Sequence, residues 1–397
     1  MIKNDTNELL NRGIENIYPS KAYLESRIAK GEKLTIYLGV DPTGPTLHLG
    51  HAIPLLKLSE FQKAGHKIIL LMGDFTAMIG DPTDKGTARV PLTHKQVMAN
   101  LKNYKKQASS IISFSGKNAA QIKFNSKWLG KMNFEDVLSL ASNMTVQQML
   151  ERDMFSKRME EGKPIFIHEF MYPLMQGYDS VAMDIDGEIG GNDQTFNMLQ
   201  GRNLMKTLKN KEKFVITVKL LEDSSGKKMG KTEGNMVALS DTPEEMYGKV
   251  MSWTDGMILP GFELCTTVSL EDMEAMATDI AKGMNPRDLK MRLARAVVNT
   301  FYGEKKALDA ENNFISTFQK SEIPEDLPEV KVGDGTLLVD VLLANKIIAS
   351  KTEFRRLVDE GAITNLDTDK KVDSHTAHAV SAVYRIGKKR FCKIKIG

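Results

Sequence analysis

Residues 33–73 restrict this chain to a narrow set of folds. The run 33–40, Lys-Leu-Thr-Ile-Tyr-Leu-Gly-Val, is β-branched and apolar enough to be a buried strand, and so is 67–73, Lys-Ile-Ile-Leu-Leu-Met-Gly. Between them, residues 51–65 carry Ile53, Leu56, Leu58 and Phe61 at roughly helical spacing and stop at Gly65. Pro54 would fall in the first turn of that helix, where a missing N–H matters little. Strand, glycine-bearing loop, helix and strand make a βαβ unit. Such a unit joins parallel strands and opens a Rossmann-type, doubly wound α/β sheet. A late strand over 214–221 runs directly into a second, basic loop.

At 397 residues the chain is expected to form two or three domains. After about residue 240 the pattern turns helical. Asp241-Thr242-Pro243-Glu244-Glu245, Ser269-Leu270-Glu271-Asp272 and Asn285-Pro286-Arg287-Asp288 each set a capping residue before an acidic first turn. The last of these continues through Leu289, Leu293, Val297 and Phe301 to Gly303, an amphipathic stripe. Residues 319–331, with Pro324 and Pro328 among charges, read as a linker, and 351–361 as a helix in a small mixed terminal module. That module, 331–397, holds 13 Lys and Arg against 8 Asp and Glu, a net +5 where the whole chain has +3. The imbalance fits a polyanionic partner, nucleic acid being the commonest, or simply a solvated tail. No apolar run approaches the roughly 18 residues of a membrane span, and the N-terminus lacks the core of a signal peptide, so a cytoplasmic protein with no membrane partner is expected. Cys265 and Cys392 lie far apart and read as ordinary packed or surface thiols.

Three polar constellations carry chemistry. His48-Leu49-Gly50-His51 stands where a strand hands over to a helix, which favours phosphate contact at the helix N-terminus over a metal pair, since no third ligand is in view. Gly226-Lys227-Lys228-Met229-Gly230-Lys231-Thr232 misses the P-loop spacing by one residue, because position 225 is Ser. Three lysines on a glycine-bearing loop suit closing over a triphosphate, or a plain solvated turn. On a helix, Tyr172, Gln176 and Asp179 share one face, which either lines a pocket or meets solvent. Gly190-Gly191-Asn192-Asp193-Gln194 adds further hydrogen-bonding groups.

Together these residues resemble a known family. Tyr37-Leu38-Gly39-Val40-Asp41-Pro42-Thr43 with His48-Leu49-Gly50-His51 is similar to the first signature of class I aminoacyl-tRNA synthetases, and Lys228-Met229-Gly230-Lys231-Thr232 to the second. Gly80-Asp81-Pro82, Tyr172-Pro173, Gln176, Asp179 and Gly190-Gly191-Asn192-Asp193-Gln194 narrow the resemblance to the tyrosine enzymes, and the forms around Asp179 and Asp193 to a bacterial subgroup. The resemblance implies a catalytic domain over 1–225 with an insertion at about 115–170, a helical anticodon-binding domain over 226–320, and an S4-like RNA-binding domain over 332–397 in which Ser350, Arg355, Arg356 and Gly361 match.

The implied reaction joins L-tyrosine to ATP as an adenylate and then to tRNA(Tyr), with Mg2+ accompanying the ATP, no dedicated protein metal site, and a homodimer built on the insertion. By the same resemblance His48, His51, Lys228, Lys231 and Thr232 act on the phosphates. Gly50 admits the adenine, while Asp41 and Asp193 serve the nucleotide or the ammonium region, Asp193 facing the ribose. Tyr37 and Asp179 meet the phenol hydroxyl, Asp81, Tyr172 and Gln176 hold the α-ammonium group, and Gln194 positions the carboxylate. Gly230 and Thr232 stand where serines are commoner across class I, and 365–371 replaces the compact turn usual in S4 folds. The rivals are the tryptophan enzyme, a cytidylyltransferase-like enzyme, and a synthetase-like protein that only binds RNA. The phenol pair, the terminal module and the intact cationic signatures respectively count against them.

Overall fold

The structure is a computed structural model. It describes residues 8–83, 92–222, 236–320, 327, 329–333, 335–368, 370–387 and 390–397. Two compact units divide at Glu311/Asn312.

In the first unit, strands β2 (Thr35–Val40) and β3 (Lys67–Met72) pair in parallel register from Thr35/Lys67 to Val40/Met72, joined by helix α1 (Leu49–Lys63). Every residue of β3 after Lys67 is buried, as a strand covered on both faces requires. The chain adds β4 (Gln121–Phe124) beyond β3 and then returns to the other side of β2 to lay down β5 (Gly187–Gly191) and β6 (Phe214–Val218). Strand β1 (Ile14–Tyr18) closes the edge antiparallel to β6, giving the order β1-β6-β5-β2-β3-β4. The order reverses between β2 and β5. In an open α/β sheet that reversal leaves a crevice at the carboxyl ends of the two strands.

Helix α1 begins earlier than its apolar spacing suggests. His48 has extended backbone at the N-cap and its Nδ1 accepts from Gly50 N–H at 3.1 Å, while His48 N–H donates to His51 Nδ1 at 3.3 Å. Two histidines therefore perform the reciprocal capping usually left to Ser and Glu. Because Leu49 is already helical, Pro54 lies inside the helix rather than in its first turn.

Helices α2 (Ile167–Met183) and α3 (Thr195–Lys209) flank the sheet and pack against each other. The chain then becomes helical, as its caps foretell. Thr242 caps α4 (Pro243–Met251), α5 spans Ile258–Cys265, Ser269 caps α6 (Leu270–Ala281), and Asn285 caps α7 (Pro286–Tyr302). Leu289, Leu293, Val297 and Phe301 are buried along α7. The segment returning to these helices pairs with the start of α1: Leu49 N–H donates to Val237 C=O at 3.0 Å and Leu239 N–H to Leu47 C=O at 2.8 Å. Both cysteines are buried, which pushes the Cys265 thiol up to about 12 and Cys392 to about 11.

Helix α8 (Glu304–Lys320) enters the second unit, whose sheet runs β7-β11-β10-β8-β9. These strands are β7 (Glu329–Val332), β8 (Ile363–Asn365), β9 (Lys370–Lys371), β10 (Ala382–Ile386) and β11 (Arg390–Ile396). Helices α9 (Leu338–Ala344) and α10 (Lys351–Asp359) cover it through Leu338, Leu342, Phe354 and Leu357. The linker reading of 319–331 needs correction. Its first residues continue α8, and Glu329 to Val332 form a strand parallel to β11, because Val330 is an apolar residue that the module's core buries.

Candidate active site

The crevice between β2 and β5 opens into a cavity of about 300 Å³. Its lining includes Tyr37, Asp41, Gly50, His51, Asp81, Tyr172, Gln176, Asp179, Asp193 and Gln194. The face shared by Tyr172, Gln176 and Asp179 on α2 is thus turned inward. His48 is not in the wall, and Lys228, Lys231 and Thr232 lie outside the described residues.

The floor is built from charge and hydroxyls that β2, β5 and α2 carry into the interior. Tyr37 is fully buried, and its Oη lies 3.0 Å from Ser180 Oγ. Asp179 accepts Trp128 Nε1–H at 2.7 Å and Asn125 Nδ2–H at 3.3 Å, donors that an acceptor-only carboxylate satisfies. Burial foremost, then the charges of Glu188 and Asp41, push Asp179 well above the usual carboxylate range against those two bonds. Burial, with Glu188 and Asp179 nearby, likewise pushes the Tyr37 phenol upward. Beneath them Lys213 and Glu188 form an ion pair, both buried. Lys213 Nζ also donates to Ser180 Oγ at 2.8 Å and Met198 C=O at 3.2 Å, and Glu188 Oε1 accepts Gln176 Nε2–H at 3.1 Å.

The waist of the cavity holds two further carboxylates. Asp41 accepts Tyr172 O–H at 2.9 Å and Thr76 O–H at 2.7 Å. Gly73 makes this approach possible, since a Cβ there would stand 1.9 Å from Asp41 Oδ1. Asp81 accepts Gln194 Nε2–H at 2.7 Å on one oxygen and Thr83 N–H and O–H, at 2.9 and 2.6 Å, on the other. Arg152 donates to that Thr83 hydroxyl at 2.8 Å, and Asn197 donates to Gln194 Oε1 at 3.0 Å. Asp193 lies in the single turn Asn192–Gln194 that follows β5.

At the mouth, burial lowers His48 to about 4, and burial with the neighbouring His48 ring lowers His51 to about 3. The rings lie 4.0 Å apart. Both are neutral near pH 7, and because both Nδ1 atoms accept backbone N–H groups, the ring protons sit on Nε2. This corrects two expectations. The pair is not cationic, and the amides that open α1 are already spoken for: Leu49 N–H on Val237, Gly50 N–H on His48 Nδ1 and His51 N–H on His48 C=O. What the two rings can offer an anion is therefore their Nε2–H groups. Among the described residues no group of three or more His, Cys, Asp or Glu could hold a metal, and no helix is long and apolar enough to cross a membrane.

Sequence reading missed Ser180, Glu188, Lys213, Trp128 and Asn125. A signal existed for one of them. Lys213 stands directly before an apolar strand, and a charge at such a place needs a partner. Trp128 and Asn125 come from the 115–170 stretch, whose short helices carry no periodic pattern pointing inward.

Comparison with known proteins agrees with this geometry. The family described as tRNA synthetases class I (W and Y) matches residues 29–319. The chain is 42% identical over 389 residues to tyrosine–tRNA ligase 2 of Vibrio cholerae, covering 98% of this chain and 97% of that protein. It is 41% identical to the tyrosine–tRNA ligase of Moorella thermoacetica, covering 97% and 94%. Among solved structures, a C-terminally truncated mitochondrial tyrosyl-tRNA synthetase of Aspergillus nidulans superposes with a TM-score of 0.67 at 23% identity, over 79% of this chain and 94% of that one. The Archaeoglobus fulgidus tyrosyl-tRNA synthetase complexed with L-tyrosine gives 0.61 at 22% identity, over 78% and 99%. These two structures share the fold.

Proposed function

The chain belongs to the tyrosyl-tRNA synthetases of class I, and on that premise we propose how its cavity divides the work. The enzyme activates tyrosine with ATP to an adenylate and transfers the tyrosyl group to tRNA. Tyrosine lies along the cavity with its phenol on the floor against Tyr37 and Asp179. Asp81, Tyr172 and Gln176 hold its ammonium group, and Gln194 positions its carboxylate. The nucleotide occupies the mouth, with adenine over Gly50 and ribose on Asp193. Asp41 joins the two halves, since it already holds Tyr172.

The tyrosine carboxylate attacks the α-phosphorus and the bond to pyrophosphate breaks. No covalent enzyme intermediate is needed, so positioning and charge stabilisation carry the step. His48 and His51 serve as neutral Nε2–H donors, with Lys228, Lys231 and Thr232 as the remaining phosphate groups, and Mg2+ arrives with ATP as its counter-ion. The observation that carries the reading is one cavity holding a buried tyrosine–aspartate pair at one end and a helix start with two Nε2–H donors beside the other. ATP–pyrophosphate exchange tried across the amino acids tests it: exchange with tyrosine is expected, and exchange driven instead by tryptophan or by none would remove it.

For the partners, the terminal module 331–397 and its +5 charge support RNA binding, with 226–320 meeting the anticodon. Arg355 is exposed on α10, so Arg355→Glu should raise the KM for tRNA about tenfold at low salt and leave adenylate formation intact, a smaller effect at high salt being the mark of phosphate contact. Equal tRNA kinetics for both proteins would exclude this face. Phe134 and Ile167, 77% and 83% exposed, are with Leu138 and Val146 the exposed apolar side chains on which we place a second copy of the chain. Phe134→Asp with Ile167→Asp should then halve the mass by light scattering, and an unchanged mass would reject the site. On the likeness to bacterial tyrosine–tRNA ligases we place the enzyme in the cytoplasm.

A further inference from the structure

We propose that Lys213 is a positioning residue for amino-acid choice: through Ser180 it fixes Tyr37 as a hydrogen-bond donor toward the substrate. This rests on the reading of Tyr37 as a phenol-binding group.

Lys213 stands directly before β6, fully buried, where Gly201 on α3 leaves room for it. A Cβ at Gly201 would lie 2.6 Å from Lys213 Nζ and 2.9 Å from Ser180 Oγ. Two of its partners, the Glu188 carboxylate and the Met198 carbonyl, can only accept. Burial pushes Lys213 down and its ion pair with Glu188 pushes it back up; as the cation of that pair Lys213 has only protons to offer, so Ser180 Oγ accepts from it at 2.8 Å. Among the described residues, the other polar partner of Ser180 is Tyr37 Oη at 3.0 Å. If Tyr37 donated to Ser180, the buried serine proton would be left without an acceptor, an arrangement that folding disfavours. Ser180 therefore donates to Tyr37.

A phenol proton lies in the ring plane at one of two positions. With a serine proton on one side of its oxygen, Tyr37 turns its own proton away from Ser180, to the side where the Glu188 carboxylate also stands within reach and where a substrate hydroxyl would compete for it. A substrate hydroxyl can then accept from Tyr37 while donating to Asp179. A ligand whose para group donates well and accepts poorly meets a donor it cannot use.

p-Aminophenylalanine is such a ligand, of nearly the same size as tyrosine. In the unmodified enzyme, pyrophosphate exchange should prefer tyrosine over it by at least about a hundredfold in kcat/KM; near-equal use would overturn the proposal without any variant. In Lys213→Met with Glu188→Gln, which removes both buried charges together, Ser180 is free to accept and the Tyr37 proton turns inward. The tyrosine preference should drop about tenfold, and adding Ser180→Ala should restore it, a recovery that general loosening of the pocket would not produce. A folded double variant with unchanged preference, or a triple variant without recovery, overturns the proposal. Tyr37→Phe separates the two levels of the argument. If it leaves tyrosine activation and the preference untouched, the phenol reading itself fails; if it abolishes the preference while the Lys213 variants do not, only the relay fails.

Discussion

The floor and the mouth of the cavity solve opposite problems. At the floor, each charge meets a partner within the fold: Lys213 on Glu188, Asp179 under Trp128 and Asn125, Tyr37 on Ser180. At the mouth, the two histidines use one nitrogen each to cap α1 and keep Nε2–H for something else. In the proposed function the floor recognises a part of the substrate that does not change during reaction, and the mouth meets charge that grows as pyrophosphate leaves. Preorganised donors aimed at developing charge accelerate a step, whereas satisfied buried networks set which ligand is admitted.

The largest effect should come from the floor. Asp179→Ala orphans Trp128 Nε1–H and Asn125 Nδ2–H and removes the acceptor proposed for the phenol. The two orphaned donors weigh on folding, while the substrate hydroxyl, desolvated on binding with no acceptor, should lower kcat/KM for tyrosine roughly 10³-fold, mainly by loss of tyrosine binding. Equilibrium dialysis with tyrosine alone checks it. Undiminished binding in a folded variant would take Asp179 out of the site.

The mouth should break differently. His48→Asn keeps a good N-cap residue and removes the Nε2–H, so stability should hold while adenylate formation at saturating tyrosine slows about 10²-fold, the usual loss for one transition-state donor. Tyrosine affinity should be unchanged. Pre-steady-state adenylate formation beside dialysis separates the two, and weakened tyrosine binding at an unchanged rate would mean that the division between floor and mouth is misdrawn.

This difference also governs how much was legible beforehand. The sheet, the caps at Thr242, Ser269 and Asn285 and the stripe along α7 follow from local periodicity and capping chemistry, which a sequence displays directly. Tyr37, Asp179 and the His48/His51 turn were legible as motifs. Asn125, Trp128 and Ser180 were not, because their roles come from packing between elements distant in the chain. The neutrality of the histidines was hidden for a related reason. A His-rich turn reads as basic, and only burial together with the two Nδ1 bonds shows that the rings carry no charge. The early start of α1 has the same cause, since histidine is an unusual cap.

The smallest effect is one of sign, and it sharpens the comparison most. His48 and His51 are depressed in the fold to about 4 and about 3 from an ordinary 6.5. Below pH 6.5 the unfolded chain takes up protons at these rings that the folded chain refuses, so their contribution to stability is present above 6.5 and is lost as the pH falls toward 4. Asp179 runs the other way. Its folded value is raised, so the folded chain holds that proton at a higher pH than the unfolded chain, and stability from this group increases as the pH falls through the raised value. Urea midpoints measured from pH 7.5 to 4.5 should therefore decline less steeply in His51→Asn than in the unmodified protein, and more steeply in Asp179→Asn. Parallel curves for all three would mean that neither end of the cavity holds its titratable groups in the state described, whatever the kinetics of the variants.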